Sequence, residues 1–194
     1  MRSAVYAALI CSIAAPAIAC DNDAKQRLIF DSVINGENYV APPVPESIPE
    51  TTFLRGDGEI GYPTDYRGKP AIITLWHPDC PGCKIEEPVL NEISAEYEDN
   101  PDISFVQVAI NIPQHFGRSV DQDDVREYLE GNGHTAIDIN FDETAAIFHE
   151  NCLVATPTHL VLDASGNVSE ILMGPQPWTS KSARKYIESL ISGS

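Results

Sequence analysis

The stretch Trp76-His77-Pro78-Asp79-Cys80-Pro81-Gly82-Cys83 determines how the rest of the chain is interpreted. It begins at the end of Ala71 to Trp76, a short apolar run rich in β-branched residues that is typical of a central strand buried on both faces. It ends where a helical pattern of apolar residues begins, from Cys83 to Tyr97. The sequence therefore places a Cys-x-x-Cys pair at the junction of a buried strand and a helix.

A Cys-x-x-Cys pair at such a junction is suited to thiol chemistry. The N-terminus of a helix carries roughly half a positive charge and unpaired N–H groups, which stabilise a thiolate. Cys80 is predicted to project into solvent as the nucleophile that attacks a partner's disulfide, and Cys83 to be the resolving thiol that releases the product. A structural zinc site would need two further ligands; none is spaced for zinc along the chain, and only convergence of His77, His115 and His159 in three dimensions would supply them. A purely structural disulfide is the other alternative.

Strand and helix patterns alternate on both sides of this pair. A strand–turn–strand signal covers residues 51–62, and later strands are predicted at 103–110, 138–141, 158–163 and 168–173. Helices are predicted at 122–131 and 143–150, and residues 111–120 as a loop; Thr179 is the predicted N-cap of a final helix that runs through Ile191. The order β-β-β-α-β-α-β-α-β-β-α predicts an α/β fold with a mixed central sheet and helices on both faces.

The N-terminal region predicts export. Residues 1–19 have the order of a signal peptide, with Arg2, an apolar run and a small-residue cleavage site before Cys20; a buried helix is the alternative. No other segment is long enough to span a membrane. Residues 20–50 include four prolines after residue 36, which fits an extended tether or an arm packed on the domain. Residues 51–194 are predicted to form the folded domain.

The net charge argues against two classes of main partner. Of 194 residues, 12 are basic and 29 acidic, for a formal net charge of −17. Nucleic acid and anionic membrane surfaces repel such a protein, so neither is expected as its main partner. We expect docking faces that are basic or neutral, with an affinity that falls as salt rises.

A second motif lies about seventy residues after the cysteines, where Thr156-Pro157 opens the apolar strand that follows. Together with the strand, Cys-Pro-Gly-Cys and helix, it resembles the thioredoxin-like fold, and more closely the TlpA/ResA-type thioredoxin-like proteins, which are exported thiol reductants. The resemblance covers about Thr51 to Ile191. It implies that Thr156-Pro157 is a cis-proline turn facing the cysteines and that the backbone of Thr156 pairs with a bound substrate strand.

The same resemblance implies a role for Glu86. Thioredoxin proper has a buried acid six residues before its nucleophile, where this chain has Thr74, whereas TlpA/ResA-type proteins have a glutamate three residues after the second cysteine, the place of Glu86. Positions i and i+3 share a helix face, so Glu86 is expected beside Cys83 as a proton acceptor. A solvated carboxylate next to Glu87 is the alternative.

One residue departs from the family pattern. Asp79 stands before Cys80 where the family usually has tryptophan, and a carboxylate there is expected to raise the pKa of the Cys80 thiol. A protonated His77 would offset this effect; an exposed loop position for His77 is the alternative. The other histidines, His159 among them, are interpreted as packing or surface residues.

Two further cysteines leave alternatives open. Cys20 follows a sequence that suits ordinary signal-peptidase cleavage and also resembles a permissive lipobox, in which the cysteine is acylated. Cys20 and Cys152 are therefore either a structural disulfide, as in some family members, or a lipid site and a lone thiol. The protein is accordingly expected in the periplasm, soluble or tethered to the inner membrane through Cys20.

The predicted function is that of an exported thiol–disulfide oxidoreductase that reduces disulfides in specific periplasmic proteins. It needs no metal and no cofactor beyond the Cys80–Cys83 pair. The resemblance implies cytochrome c or copper-centre assembly as the substrate pathway and a membrane thiol as electron donor. An oxidase or isomerase would use the same atoms, and a copper-binding assembly factor would use the same thiolates. A thiol peroxidase is disfavoured, because His77 stands where those enzymes have threonine.

Overall fold

The structure, a computed structural model, describes residues 51–193. The predicted signal peptide at 1–19 and the segment 20–50 with Cys20 lie outside the described residues. Within residues 51–193, no helix combines the length and the apolar character needed to cross a membrane.

The described elements alternate as the sequence predicts. The strands are β1 Phe53–Leu54, β2 Ile60–Gly61, β3 Ala71–Trp76, β4 Ser104–Ile110, β5 Asn140–Asp142, β6 Thr158–Leu162 and β7 Val168–Met173. The helices are α1 Pro81–Tyr97, α2 Pro113–Phe116, α3 Gln122–Asn132, α4 Ala146–Glu150 and α5 Lys181–Ser192, with a 3-10 turn at Pro63–Tyr66.

The strands form one mixed sheet in the order β2-β1-β5-β4-β3-β6-β7. Strands β3, β4 and β5 run parallel, whereas β6 is antiparallel to β3 and β7 to β6. Strand β3 is therefore hydrogen-bonded on both sides, and all six of its residues are buried. The predicted thioredoxin-like α/β fold is confirmed.

Two apolar clusters cover the two faces of the sheet. Successive side chains of a strand point to opposite faces, so β3 contributes to both clusters. Ile72 and Trp76 belong to the cluster that includes Leu90 and Ile93 of α1. Ile73 and Leu75 belong to the cluster on the other face, which α4 helps to form. This double burial fixes the end of β3, and with it the position of the cysteines that follow.

Three of the differences between the predicted and the observed boundaries have a clear local cause. The predicted loop 111–120 contains the one-turn helix α2, which Pro113 starts and Gly117, at φ 76°, ends. Helix α4 begins three residues later than predicted because Ala145 is left-handed, at φ 51°, and Asp142 accepts the Ile147 amide. The last helix begins at Lys181, with Ser180 as its N-cap in place of Thr179.

Candidate functional site

Cys80 and Cys83 are disulfide-bonded at the start of α1, with their Cα atoms 5.2 Å apart. Cys80 is the N-cap of the helix, and its Sγ accepts a hydrogen bond of 3.1 Å from the amide of Cys83. The helix therefore directs a backbone donor at the sulfur that would carry a thiolate. Both residues are buried in this oxidised state, so Cys80 does not project into solvent as the sequence suggested.

The turn before β6 lies directly against the cysteines. The Thr156–Pro157 peptide bond is cis, and the Thr156 carbonyl oxygen lies 3.2 Å from Cys80 Sγ. Pro157 also approaches Gly82, one of the two residues between the cysteines, because a Cβ atom added to Gly82 would lie 3.2 Å from Pro157 Cδ. The cis-proline turn therefore forms part of the immediate surroundings of Cys80.

Glu86 is buried, which excludes the alternative of a solvated carboxylate. Its Oε1 atom accepts hydrogen bonds from the Gln176 amide at 2.9 Å and from Trp178 Nε1 at 2.8 Å, and it lies 3.2 Å from His159 Nε2. Its Oε2 atom is buried and has no hydrogen-bond partner within the described part of the chain. One oxygen is thus fully used while the other is free to accept a proton.

His159 belongs to this network. The sequence alone indicates only a packing or surface residue at this position. It lies on β6, two residues after Pro157, and is completely buried. Its Nδ1 atom is 2.9 Å from Thr74 Oγ1 on β3. Through His159, the cis-proline strand, the central strand and the cysteine-bearing helix are therefore joined by polar contacts.

A second buried carboxylate on α1, Glu87, is directed to different partners. Tyr128 Oη donates a hydrogen bond of 2.7 Å to Glu87 Oε2, and His134 Nε2 lies 3.7 Å from the same oxygen. Burial raises the pKa of Glu87, and the Tyr128 hydrogen bond partly offsets that effect. The two neighbouring glutamates thus occupy separate environments, and Glu86 alone contacts the segment after β7.

Asp79 is paired with a cation that the sequence did not identify. Arg118 Nε donates to Asp79 Oδ2 at 2.5 Å, and a second guanidinium nitrogen lies 3.5 Å from Asp124. The hydrogen bond from Arg118 lowers the pKa of Asp79. The predicted effect of Asp79 on Cys80 is therefore opposed by a positive charge on the segment after α2.

His77 is completely buried, so the expectations of a protonated or an exposed His77 are both wrong. Its ring stacks on Phe116 at a centroid distance of 4.3 Å, and its Nδ1 atom accepts a hydrogen bond of 3.0 Å from the Asp79 amide. Burial lowers the pKa of His77 to about 4, with Asp79 opposing the shift. His77 is therefore neutral near pH 7 and does not offset the charge of Asp79.

The remaining candidates concern cysteine pairing and metal. Cys152 is not a free thiol, but Cys20 lies outside the described residues, so its predicted pairing with Cys152 stays a prediction. Within residues 51–193, no group of three or more His, Cys, Asp or Glu side chains is arranged to hold a metal ion.

Comparisons with known proteins agree with this geometry. The model of the Redoxin family matches residues 43–187. An uncharacterized protein of Haemophilus influenzae is 28% identical over 111 residues, which cover 57% of this chain and 68% of that protein.

Two solved structures are similar in fold. The exposed lipoprotein thioredoxin of Streptococcus pneumoniae has a TM-score of 0.60 at 20% identity, over 74% of this chain and 99% of that one. A secreted disulfide oxidoreductase of Mycobacterium tuberculosis, described as homologous to DsbE of E. coli, has a TM-score of 0.53 at 19% identity, over 75% of this chain and 96% of that one. At identities this low, the similarity shows a shared fold and does not indicate a shared substrate.

Proposed function

Because the chain belongs to the Redoxin family and carries the Cys80–Cys83 disulfide at the start of a helix, it is a thiol–disulfide oxidoreductase, and we propose that it reduces disulfides in specific exported proteins. The observation that carries the proposal is the position of Cys80, which caps α1 and contacts the cis-proline turn. We also assign the chain to the TlpA/ResA type, on the resemblance of its motifs and on the burial of Glu86.

In the proposed reaction, the chain begins as the dithiol. The Cys80 thiolate attacks one sulfur of a substrate disulfide, forms a mixed disulfide and releases the other substrate sulfur as a thiolate. Cys83 then loses its proton, and its thiolate attacks Cys80 Sγ. This step breaks the mixed disulfide and releases the second substrate sulfur. Two electrons have passed to the substrate, and the Cys80–Cys83 disulfide is left.

Three residues besides the cysteines take part in the proposed cycle. Glu86 accepts the proton of Cys83, since it lies one turn further along the same helix and has an unoccupied buried oxygen. Thr156 and Pro157 form the surface against which the substrate strand lies, because they contact Cys80 and approach Gly82. A membrane thiol donor returns two electrons and two protons to the disulfide.

The proposed location is the periplasm. It rests on the signal-peptide pattern of residues 1–19 and on the similarity in fold to an exposed lipoprotein thioredoxin and to a secreted disulfide oxidoreductase. Cys20 would then be acylated or paired with Cys152. In either arrangement the substrates are exported proteins of the cytochrome c or copper-centre assembly kind, with docking faces that are basic or neutral.

The reduction potential of the Cys80–Cys83 pair tests the direction of electron transfer. The mature chain is equilibrated with glutathione buffers, and the fraction of disulfide is measured by thiol alkylation. A value near that of thioredoxin, about −270 mV, is expected for a reductase that needs a dedicated electron supply. A value near about −120 mV, as in strong oxidants, would contradict the reductase and leave disulfide donation as the function.

A further inference from the structure

The contacts of His159 determine where its proton lies. Its Nε2 atom is 3.2 Å from Glu86 Oε1 and 3.2 Å from the carbonyl oxygen of Gly174. A carbonyl oxygen has no proton to give, so Nε2 must carry the hydrogen and act as a donor. Nδ1 then accepts from the Thr74 hydroxyl when the ring is neutral, or donates to it when the ring is charged.

The contacts of Glu86 determine which of its oxygens can take up a proton. Oε1 faces the Gln176 amide, the indole N–H of Trp178 and Nε2 of His159, which are all donors. A proton added to Oε1 would displace one of them, whereas a proton added to the unpartnered Oε2 breaks no hydrogen bond. Protonation is therefore directed to Oε2.

His159 differs in charge from the other groups that surround Glu86. From α1, the neighbouring Glu87 is directed to Tyr128 and His134. From β3, Thr74 is uncharged, and Gly174 and Trp178 contribute a carbonyl oxygen and an indole. Among residues 51–193, His159 is the one side chain in ion-pair distance of Glu86 that is able to carry a positive charge.

We propose that His159 is a positioning residue that keeps Glu86 ionised and holds its Oε1, so that Oε2 accepts the proton of Cys83 when the mixed disulfide is resolved. The inference rests on the proposed function and deepens it. In the resolving step, the proton moves from Cys83 Sγ to Glu86 Oε2, the new bond forms between the two cysteine sulfurs, and the bond from Cys80 to the substrate breaks. The electron pair leaves on the substrate sulfur, which takes a proton from Glu86 or from water.

The variant His159→Gln tests this proposal, because its amide N–H replaces the donor at Nε2 but cannot become charged. The mature reduced protein is mixed with a fluorogenic peptide disulfide in a stopped-flow instrument, and the release of the second thiol is followed across a range of pH. Without a positive charge at residue 159, the negative charge of Glu86 is less well stabilised, so the acid limb of the release rate is expected to move upward by about one pH unit. On that limb the rate falls about tenfold, and at high pH the two proteins converge.

Three further variants separate the effect of His159 on Glu86 from other effects of the substitution. His134→Gln is the matched control, because His134 lies against the other buried glutamate of α1; it is expected to leave the acid limb in place. Glu86→Gln removes the acceptor and with it the acid limb, and adding His159→Gln in that background is expected to change nothing further. Thr74→Val removes the hydroxyl at Nδ1 while His159 itself remains, and a smaller shift in the same direction is expected.

Two outcomes would overturn the proposal: an acid limb that His159→Gln leaves in place, or a shift of equal size in the Glu86→Gln background. Formation of the mixed disulfide in a Cys83→Ser variant is measured separately, since this first step involves Cys80 alone. If that first step fails, the proposed function is wrong. If it proceeds and His159→Gln leaves the pH profile of release unchanged, only the proposed role of His159 is wrong.

Discussion

At the scale of single residues, the ion pair between Asp79 and Arg118 controls the charge next to Cys80. Removing the cation with Arg118→Gln leaves the carboxylate uncompensated, so the pKa of the Cys80 thiol is expected to rise; Asp79→Asn is expected to lower it. Because both side chains are partly exposed, each change should stay below about one pH unit and shrink in salt. The measurement is the ultraviolet absorbance of the thiolate against pH in the reduced protein.

The control for this prediction is Arg184→Gln, which breaks an ion pair with Glu96 at the far end of α1. It is expected to leave the thiol titration unchanged. An Arg118→Gln protein that titrates like the parent at low salt would contradict the electrostatic interpretation.

His77 gives a second prediction at this scale, for the pH dependence of stability. Its folded-state pKa of about 4 lies below the ordinary value of 6.5, so the unfolded chain binds the proton more readily. The protein should therefore lose stability as the pH falls from about 6.5 to about 4, by about 2–3 kcal/mol from this residue. Asn offers an oxygen near the place of Nδ1 and does not titrate, so His77→Asn should lose less stability over that interval.

Denaturant unfolding of both proteins across this pH range measures the difference. Carboxylates contribute equally to the two proteins and cancel in the comparison. Parallel curves for parent and variant would show that His77 is not kept neutral by burial.

At the scale of elements, the close approach of α1 to the cis-proline turn leads to a third prediction. A Cβ atom at Gly82 would lie 3.2 Å from Pro157 Cδ and 3.6 Å from Pro175 Cγ, so Gly82→Ala must displace the start of the helix or the turn. We expect a loss of about 1 kcal/mol in stability and a severalfold slower first exchange step. Chemical unfolding and stopped-flow exchange measure the two effects.

Gly131→Ala is the matched control within α3, since a Cβ atom there meets nothing within 4 Å. Alanine has the higher helix propensity, so that variant should gain about 0.5–1 kcal/mol and exchange at the parental rate. An equal gain from Gly82→Ala, without slower exchange, would show that the turn and helix do not need their close contact.

The same elements show what the sequence could predict. Strand β3 and helix α1 are predicted correctly from the spacing of their apolar residues and from the Pro81-Gly82 pair between the cysteines, because those signals are local. The partners of their side chains are not local. Arg118 is 39 residues from Asp79 and Trp178 is 92 from Glu86, and only the order of strands in the sheet brings them together. The role of His159 was missed for the same reason, because a single buried histidine has no sequence pattern of its own.

At the scale of the whole molecule, the net charge of −17 leads to the last prediction. A protein with this excess of carboxylates attracts a basic substrate before contact, and salt weakens that attraction. Two peptides with the same cystine loop, one flanked by lysines and the other by glutamates, should therefore differ in their second-order exchange rates. We expect the lysine peptide to react about tenfold faster at low salt, and the difference to disappear near about 0.5 M salt, where the Debye length is only a few ångströms. Exchange rates that depend neither on the flanking charge nor on the salt concentration would mean that docking depends on the cis-proline turn alone. The acidic surface would then not select the partner.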